Sequence, residues 1–206
     1  MKPARLNWTL SETRLLRSLR TPDEIQSFLD DDVDYNRELR GATCRSPRLV
    51  MRDRTAQCME GAMFAAAALS FHGHPPLILD FEAERDWDHV VAVYKLNGAW
   101  GAIGKSNYSG LGGRAPVYRT LRELAMTYFE HYFNRRRERT MRKYSRPVNL
   151  ERFDHLGWRT SPEPVWAIPE HLAKVSHHDL LTRRQERNLT PVTRRMYTAG
   201  KIGLAS

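Results

Sequence analysis

Gln57-Cys58-Met59-Glu60-Gly61-Ala62-Met63-Phe64-Ala65-Ala66-Ala67-Ala68-Leu69 follows the charged approach Arg52-Asp53-Arg54-Thr55 and precedes Gly73-His74-Pro75-Pro76. Ala and Met are strong helix formers, the run is apolar on nearly every side, and Gly73 supplies a stop. The sequence therefore predicts a central helix buried all round, with Cys58 where a polar loop becomes that helix. Unpaired backbone N–H groups at a helix start carry partial positive charge. They stabilise a thiolate, draw its pKa from about 8.5 toward neutrality, and can also hold an oxyanion. The bland alternative is that Cys58 is a small buried hydrophobe, the commonest fate of a free cysteine.

Downstream of Pro75-Pro76, Leu77-Ile78-Leu79-Asp80-Phe81 reads as a short strand. His89-Val90-Val91-Ala92-Val93-Tyr94 is β-branched and aromatic enough for a strand buried on both faces. Asn97-Gly98 then marks a two-residue hairpin turn into Ala99-Trp100-Gly101-Ala102-Ile103. A histidine at the start of such a strand is placed to meet a helix N-terminus packed on the sheet. A thiolate beside an imidazolium is the activated pair of cysteine hydrolases and acyltransferases. In the hairpin register Leu96 faces Ala99, which sets His89 opposite Ser106. Asn107 falls opposite Asp88, and reaches the His89 face only through a bulge near Gly104. Ser106 and Asn107 are therefore the candidates to orient the imidazole.

Thr21-Pro22-Asp23-Glu24 opens an earlier helix with a capping box and Pro at its first position, and another helix starts near Ser11. Asp31 to Met51 shows no clear period and reads as a loop. Thr120-Leu121-Arg122-Glu123 is a second capping box, from which Leu121, Leu124, Tyr128 and Tyr132 continue one face of a long helix that turns Arg-rich. Pro recurs at 162, 164, 169 and 191, so the last part reads as a wrapping tail with one short helix around His171 to Arg184 and a frayed end. This divides the chain into a core of residues 1–146 and a basic segment of residues 147–206.

The chain has 206 residues, 41% hydrophobic and 28% charged, which excludes collagen-like, low-complexity and wholly disordered classes. Two cysteines, Cys44 and Cys58, make no disulfide framework and no C-x-x-C pair, and they fit a reducing cytoplasm. The first 19 residues carry scattered charges in place of a signal peptide's apolar run. Ala62 to Leu69 falls far short of the roughly 20 apolar residues that span a bilayer, so no membrane is expected. Residues 134–146 hold a net +6 and residues 183–201 a net +5, against +9 overall, so the remainder is about −2. Such runs are most often solvated faces, with nucleic acid or an acidic surface as the alternative. His72-Gly73-His74 lacks a third metal ligand nearby, and His177-His178-Asp179 reads as a solvated turn. Gly110 to Gly113 lacks the setting of a phosphate loop and reads as a flexible connection or gate.

The run Gln57 to Ala62, the helix ending at Gly73-His74-Pro75-Pro76, the strand His89 to Tyr94, the turn and Trp100 together resemble the transglutaminase-like superfamily of papain-type cysteine enzymes. Asp34-Tyr35-Asn36 and Ser46-Pro47-Arg48 look like the approach to the nucleophile in its bacterial members, so the likeness covers roughly residues 22–107. The resemblance implies an α+β fold in which Cys58 is the nucleophile and His89, on an antiparallel sheet, its base. It implies acyl transfer at amides of a peptide, protein or small molecule, without cofactor or metal. The family places an Asp about four residues after the Trp, where this chain has Gly104 followed by Lys105, Ser106 and Asn107. That departure leaves a second reading open: a catalytically weakened binding or scaffold module that engages an acidic partner through its Arg-rich segments.

Overall fold

The computed structural model describes residues 7–204. Residues 1–6, part of the stretch read for an export signal, and residues 205–206, the last of the expected frayed end, lie outside the described residues. The fold is α+β. Helices α1 (Leu10–Ser18) and α2 (Pro22–Asp31) each begin with a capping box, Thr9 with Glu12 and Thr21 with Glu24. Asp31 to Met51 is more ordered than its composition indicates. It holds a short strand β1 (Asp34–Tyr35) and helix α3 (Pro47–Asp53), which starts with Ser46 as N-cap and Pro47 at its first position. Strand β2 (Thr55–Ala56) pairs with β1 in parallel.

Helix α4 (Cys58–Phe71) is the centre of the molecule, and every residue from Met59 to Leu69 is buried. It ends where Gly73 takes φ +89°, a backbone conformation that favours glycine. Met63 and Phe64 are fully buried, and truncating Phe64 to Ala would cost about 3–5 kcal/mol.

After α4 come β3 (Leu77–Ala83), β4 (His89–Leu96), β5 (Ala99–Ile103), β6 (Arg114–Tyr118), α5 (Leu121–Phe129), β7 (Met141–Ser145), β8 (Val148–Asn149), α6 (Ala167–Leu172), β9 (His177–Asp179), α7 (Arg183–Arg187) and α8 (Arg194–Gly200). The antiparallel sheet runs β6-β5-β4-β3-β7-β9, with β8 also on β3. Ile78, Val90, Ala92 and Tyr94 face the core around α4, whereas Leu79, Phe81, Val91 and Val93 face the core that contains α5. Alternation along both central strands buries one apolar set on each side. The Asn97-Gly98 turn has positive φ at both residues, and the ladder pairs Leu96 with Ala99 through Ala92 with Ile103 in the expected register.

Three expectations change here. The helix after Thr120 stops at Phe129, and the Arg-rich stretch is a turn in which Arg137 has φ +65°. The carbonyl and side chain of Asn134 close that turn through the amides of Arg137, Arg136 and Glu138. The division at residue 146 has no counterpart in the packing, because β8 and β9 extend the sheet and Leu150, Trp158, Ile168 and Leu172 join the α4 core. His177 and His178 lie in β9 and not in a solvated turn.

Candidate active site

Gln57 is the N-cap of α4. Its side-chain oxygen accepts the Met59 amide at 2.6 Å, its side chain also caps the Glu60 amide, and its own amide donates to Glu60 Oε2 at 2.9 Å. Glu60 is fully buried. It accepts from Thr43 Oγ1 at 2.7 Å, the Arg45 amide at 2.8 Å and the Arg45 guanidinium at 3.3 Å. A buried carboxylate so bonded ties the helix start to residues 43–45, and removing its donors would leave an uncompensated charge. Because Gln57 occupies the Met59 and Glu60 amides, the first-turn amide left for an oxyanion is that of Cys58 itself.

Gly61 lies on the helix where the loop after β5 approaches most closely. A Cβ there would stand 2.5 Å from Lys105 Cβ. Lys105 is buried and donates to the carbonyls of Leu29, at 2.6 Å, and Val33 at the end of α2. Burial lowers its pKa, while the nearby acidic side chains of Asp30, Asp34 and Asp31 hold it up.

Cys58 is partly exposed, and its sulfur sits against the backbone that flanks His89. Sγ lies 4.0 Å from the carbonyl oxygen of Asp88, and the Val90 amide bonds to the sulfur. Burial pushes the thiol up to about 11, with the Val90 and Met59 amides pulling down and the charges of Asp80 and Glu38 pushing up. The lowered pKa expected from the helix start is therefore not found, since desolvation of the charged form outweighs the amides that reach the sulfur. Cys44 is buried, and its thiol is pushed higher still, to about 12.

His89 stands at the start of β4, nearly fully buried, opposite Phe81 of β3. Its ring lies 6.3 to 6.5 Å from those of Phe81, Tyr128 and Tyr132. Nε2 is 2.9 Å from the carbonyl oxygen of Leu111. A carbonyl can only accept, so Nε2 carries the proton and, in the neutral ring, Nδ1 holds the lone pair. Burial pushes the imidazole down to about 4, the Leu111 carbonyl pulls it up, and the Arg114 charge lowers it again.

The ring's orienting partner is thus a backbone carbonyl, and the bond expected from Ser106 or Asn107 is not the one made. Ser106 Oγ accepts the Tyr108 amide at 3.0 Å, and Asn107 packs its backbone against Gly203. The ladder that would have carried Ser106 to His89 ends at Ile103, because Gln26 of α2 takes both backbone groups of Gly104. Its Oε1 accepts the Gly104 amide at 3.0 Å, and its Nε2 donates to the Gly104 carbonyl at 2.9 Å. Gly110 to Gly113 is pinned, not a gate. The Arg114 guanidinium donates to the carbonyls of Gly110 at 2.7 Å, Gly113 at 2.9 Å and Gly112 at 3.3 Å, and Tyr128 Oη donates to Gly112 at 2.9 Å. Arg114 also stacks 3.9 Å over the Tyr128 ring.

One titratable pair has no local signal in the sequence. His177 Nε2 lies 2.9 Å from Asp80 Oδ2, with both side chains about nine-tenths buried, and the Asp80 amide donates to Ser145 Oγ at 2.9 Å. Burial raises Asp80 to about 6, against the pull of the His177 hydrogen bond. Aspartate and histidine are 97 residues apart, so only the β3-β7-β9 order unites them. No helix among the described residues is long and apolar enough to cross a membrane. No protein-family model and no curated protein matches this chain.

Proposed function

We propose that this protein is a transglutaminase-like cysteine enzyme that acts on amides, with Cys58 as nucleophile and His89 as the group that moves the proton. The observation that carries the reading is the seat of the sulfur: Cys58, at the start of a buried helix, touches the backbone on both sides of a histidine whose Nε2 is already committed to Leu111. At rest the pair is a neutral thiol, seated on the backbone of residues 88 and 90, and a neutral imidazole. As Sγ attacks the carbonyl carbon, its proton passes to Nδ1, and the Cys58 amide stabilises the oxyanion. His89 then protonates the leaving amine as the C–N bond breaks, which leaves a thioester. Water or a second amine, deprotonated by Nδ1, releases the acyl group and restores the thiol.

The test is alkylation by iodoacetamide followed by mass spectrometry. Cys58 labels and Cys44 does not, and the Cys58 rate rises with pH well past 8.5, as a thiol near 11 requires. His89→Gln slows acylation of Cys58 by an activated ester such as p-nitrophenyl acetate. Equal labelling of the two cysteines, or acylation indifferent to His89, sinks the reading.

A second reading is a scaffold of the same ancestry that has lost turnover. It is favoured by the neutral resting pair and by a carbonyl where the family has a carboxylate. Acylation of Cys58 without release of the acyl group would support it.

A further inference from the structure

The two Arg-rich segments, more than 35 residues apart in sequence, meet at one corner. The Val192 amide donates to the Arg137 carbonyl at 2.8 Å, and the Arg139 guanidinium bonds to the Thr190 carbonyl. Arg135, Arg136 and Arg137 on the turn and Arg194 and Arg195 at the start of α8 are all exposed. The acids closest in sequence are already engaged: Glu138 with Arg85 at 3.3 Å, and Glu130 with Arg139 at 2.8 Å. Among the described residues none of the five arginines makes an ion pair. The Arg136 charge is felt by Glu138, but five exposed guanidinium groups at one corner exceed the acid beside them, and an anion that binds them relieves their mutual repulsion.

The corner is also attached to both walls of the Cys58 site. Asn134 Nδ2 bonds the Arg85 carbonyl, Thr140 Oγ1 bonds Asp86 Oδ2 and Tyr132 Oη bonds the Trp87 carbonyl, so the Arg-rich turn is laced to the loop that enters His89. On the other wall, Ser109 donates from its amide to Gly200 at 3.1 Å and from Oγ to Ala199 at 2.9 Å, which fixes α8 to the loop that carries Leu111. Phe133 links the two, with its ring 6.0 Å from that of Tyr108 and 5.6 Å from that of Tyr197.

We infer that this corner binds an acidic polypeptide segment, and that the substrate of the proposed site carries clustered Asp or Glu residues in the same stretch of chain as the reacting amide. The choice of a polypeptide and the substrate claim both rest on the amide-directed reading above; affinity of the corner for acidic chains does not. A polypeptide is favoured over nucleic acid because the proposed chemistry is at amides and because both arginine-bearing pieces are bonded to the loops that flank that site.

The experiment uses the full chain with Cys58→Ala, so that binding is read without turnover. A fluorescein-labelled Glu-rich peptide, a Lys-rich peptide of equal length and a single-stranded oligonucleotide are titrated by anisotropy at 50 and 200 mM salt. The Glu-rich peptide binds, and binds more weakly at the higher salt. Reversal of Arg135, Arg136, Arg194 and Arg195 to Glu weakens it by about tenfold or more and brings binding of the Lys-rich peptide. A milder variant, Arg136→Gln with Arg195→Gln, gives a smaller loss in the same direction and covers misfolding of the reversed protein. No salt-dependent binding of the Glu-rich peptide, an effect of neither variant, or tighter binding of the oligonucleotide overturns the inference. Alkylation of Cys58 is untouched by any of these results, so failure here leaves the cysteine reading to its own test.

Discussion

His89 and His177 sit on one sheet, face opposite cores, and hold different partners. His89 is on the face shared with α5, and its Nε2 donates to a carbonyl. His177 reaches to Asp80, whose strand neighbour Ile78 and cross-strand partner Val90 belong to the α4 core, and its partner is a carboxylate. A carbonyl fixes which nitrogen holds the proton without adding charge, so burial drives the imidazole toward neutrality and keeps Nδ1 basic only in the weak sense. The Asp80 carboxylate instead fixes its histidine by a side-chain bond across the sheet. The pair that looks more like a catalytic His-carboxylate couple lies on the α4 side, where the Asp80 charge raises the Cys58 thiol and the His177 ring is bonded to Asp80. The histidine whose backbone neighbours touch the sulfur is the one with the plainer partner.

The sharpest way to break this comparison is to mutate each histidine. His89→Gln lowers acylation of Cys58 by about a thousandfold, within the usual range for loss of a general acid–base group, while His177→Gln changes it by less than about threefold. Burst kinetics with p-nitrophenyl acetate measure both. The reverse order would move the catalytic role to the Asp80 pair.

Stability against pH separates the two sites next. His89 in the folded protein, near 4, binds its proton later than in the unfolded chain, near 6.5, so it removes stability as pH falls through that window. Asp80, near 6 against 3.8, does the opposite: it adds stability as pH falls from about 6 to 4. Each is worth about 3 kcal/mol by linkage, so they nearly cancel in the native protein. Urea titrations between pH 4 and 7 should show Asp80→Asn losing stability as the medium becomes more acid and His89→Gln gaining it. Parallel curves for the two variants would refute the assignment.

Smaller effects belong to the supporting shells. Arg114→Gln frees the Gly110 and Gly113 carbonyls, leaves Gly112 to Tyr128 alone and loosens the Leu111 carbonyl. It should cut acylation by about tenfold with the fold retained, and it should also shift the His89 imidazole resonances, which a purely structural loss would not do selectively. Ser145→Ala removes the acceptor of the Asp80 amide and should cost about 1 kcal/mol with acylation unchanged.

Features written in short stretches were legible. The capping box at Thr21, the Thr120 cap, whose Glu123 takes the Arg119 amide instead of closing the box, the Asn97-Gly98 turn and the apolar run after Cys58 each depend on neighbours within a few residues. Their outcomes follow from local physics. The hairpin register was legible as far as Ala92 with Ile103 and failed beyond, because a glutamine 78 residues away replaces the next rung. The Leu111 partner had no signal to read, since every residue has a carbonyl. Tyr132 keeps the periodicity of Leu124 and Tyr128, so the pattern into the Arg-rich turn mimics a continuing helix. The Asn134 that closes the turn is visible in the sequence and could have signalled the stop.

The order in which the sheet is assembled has a consequence for synthesis. Central strand β3 meets β4 within a few residues, yet its other edge waits for β7 and β8, more than 55 residues later. A nascent chain that has just exposed Ile103 from the ribosome owns the sulfur, the histidine and an apolar strand with bare amides along one side. Such an edge invites pairing with a second nascent chain until the last third emerges to cover it. Completion of the C-terminal third is thus the step that turns a sticky intermediate into a closed central sheet, and slow translation between residues 104 and 149 would lengthen the period of risk.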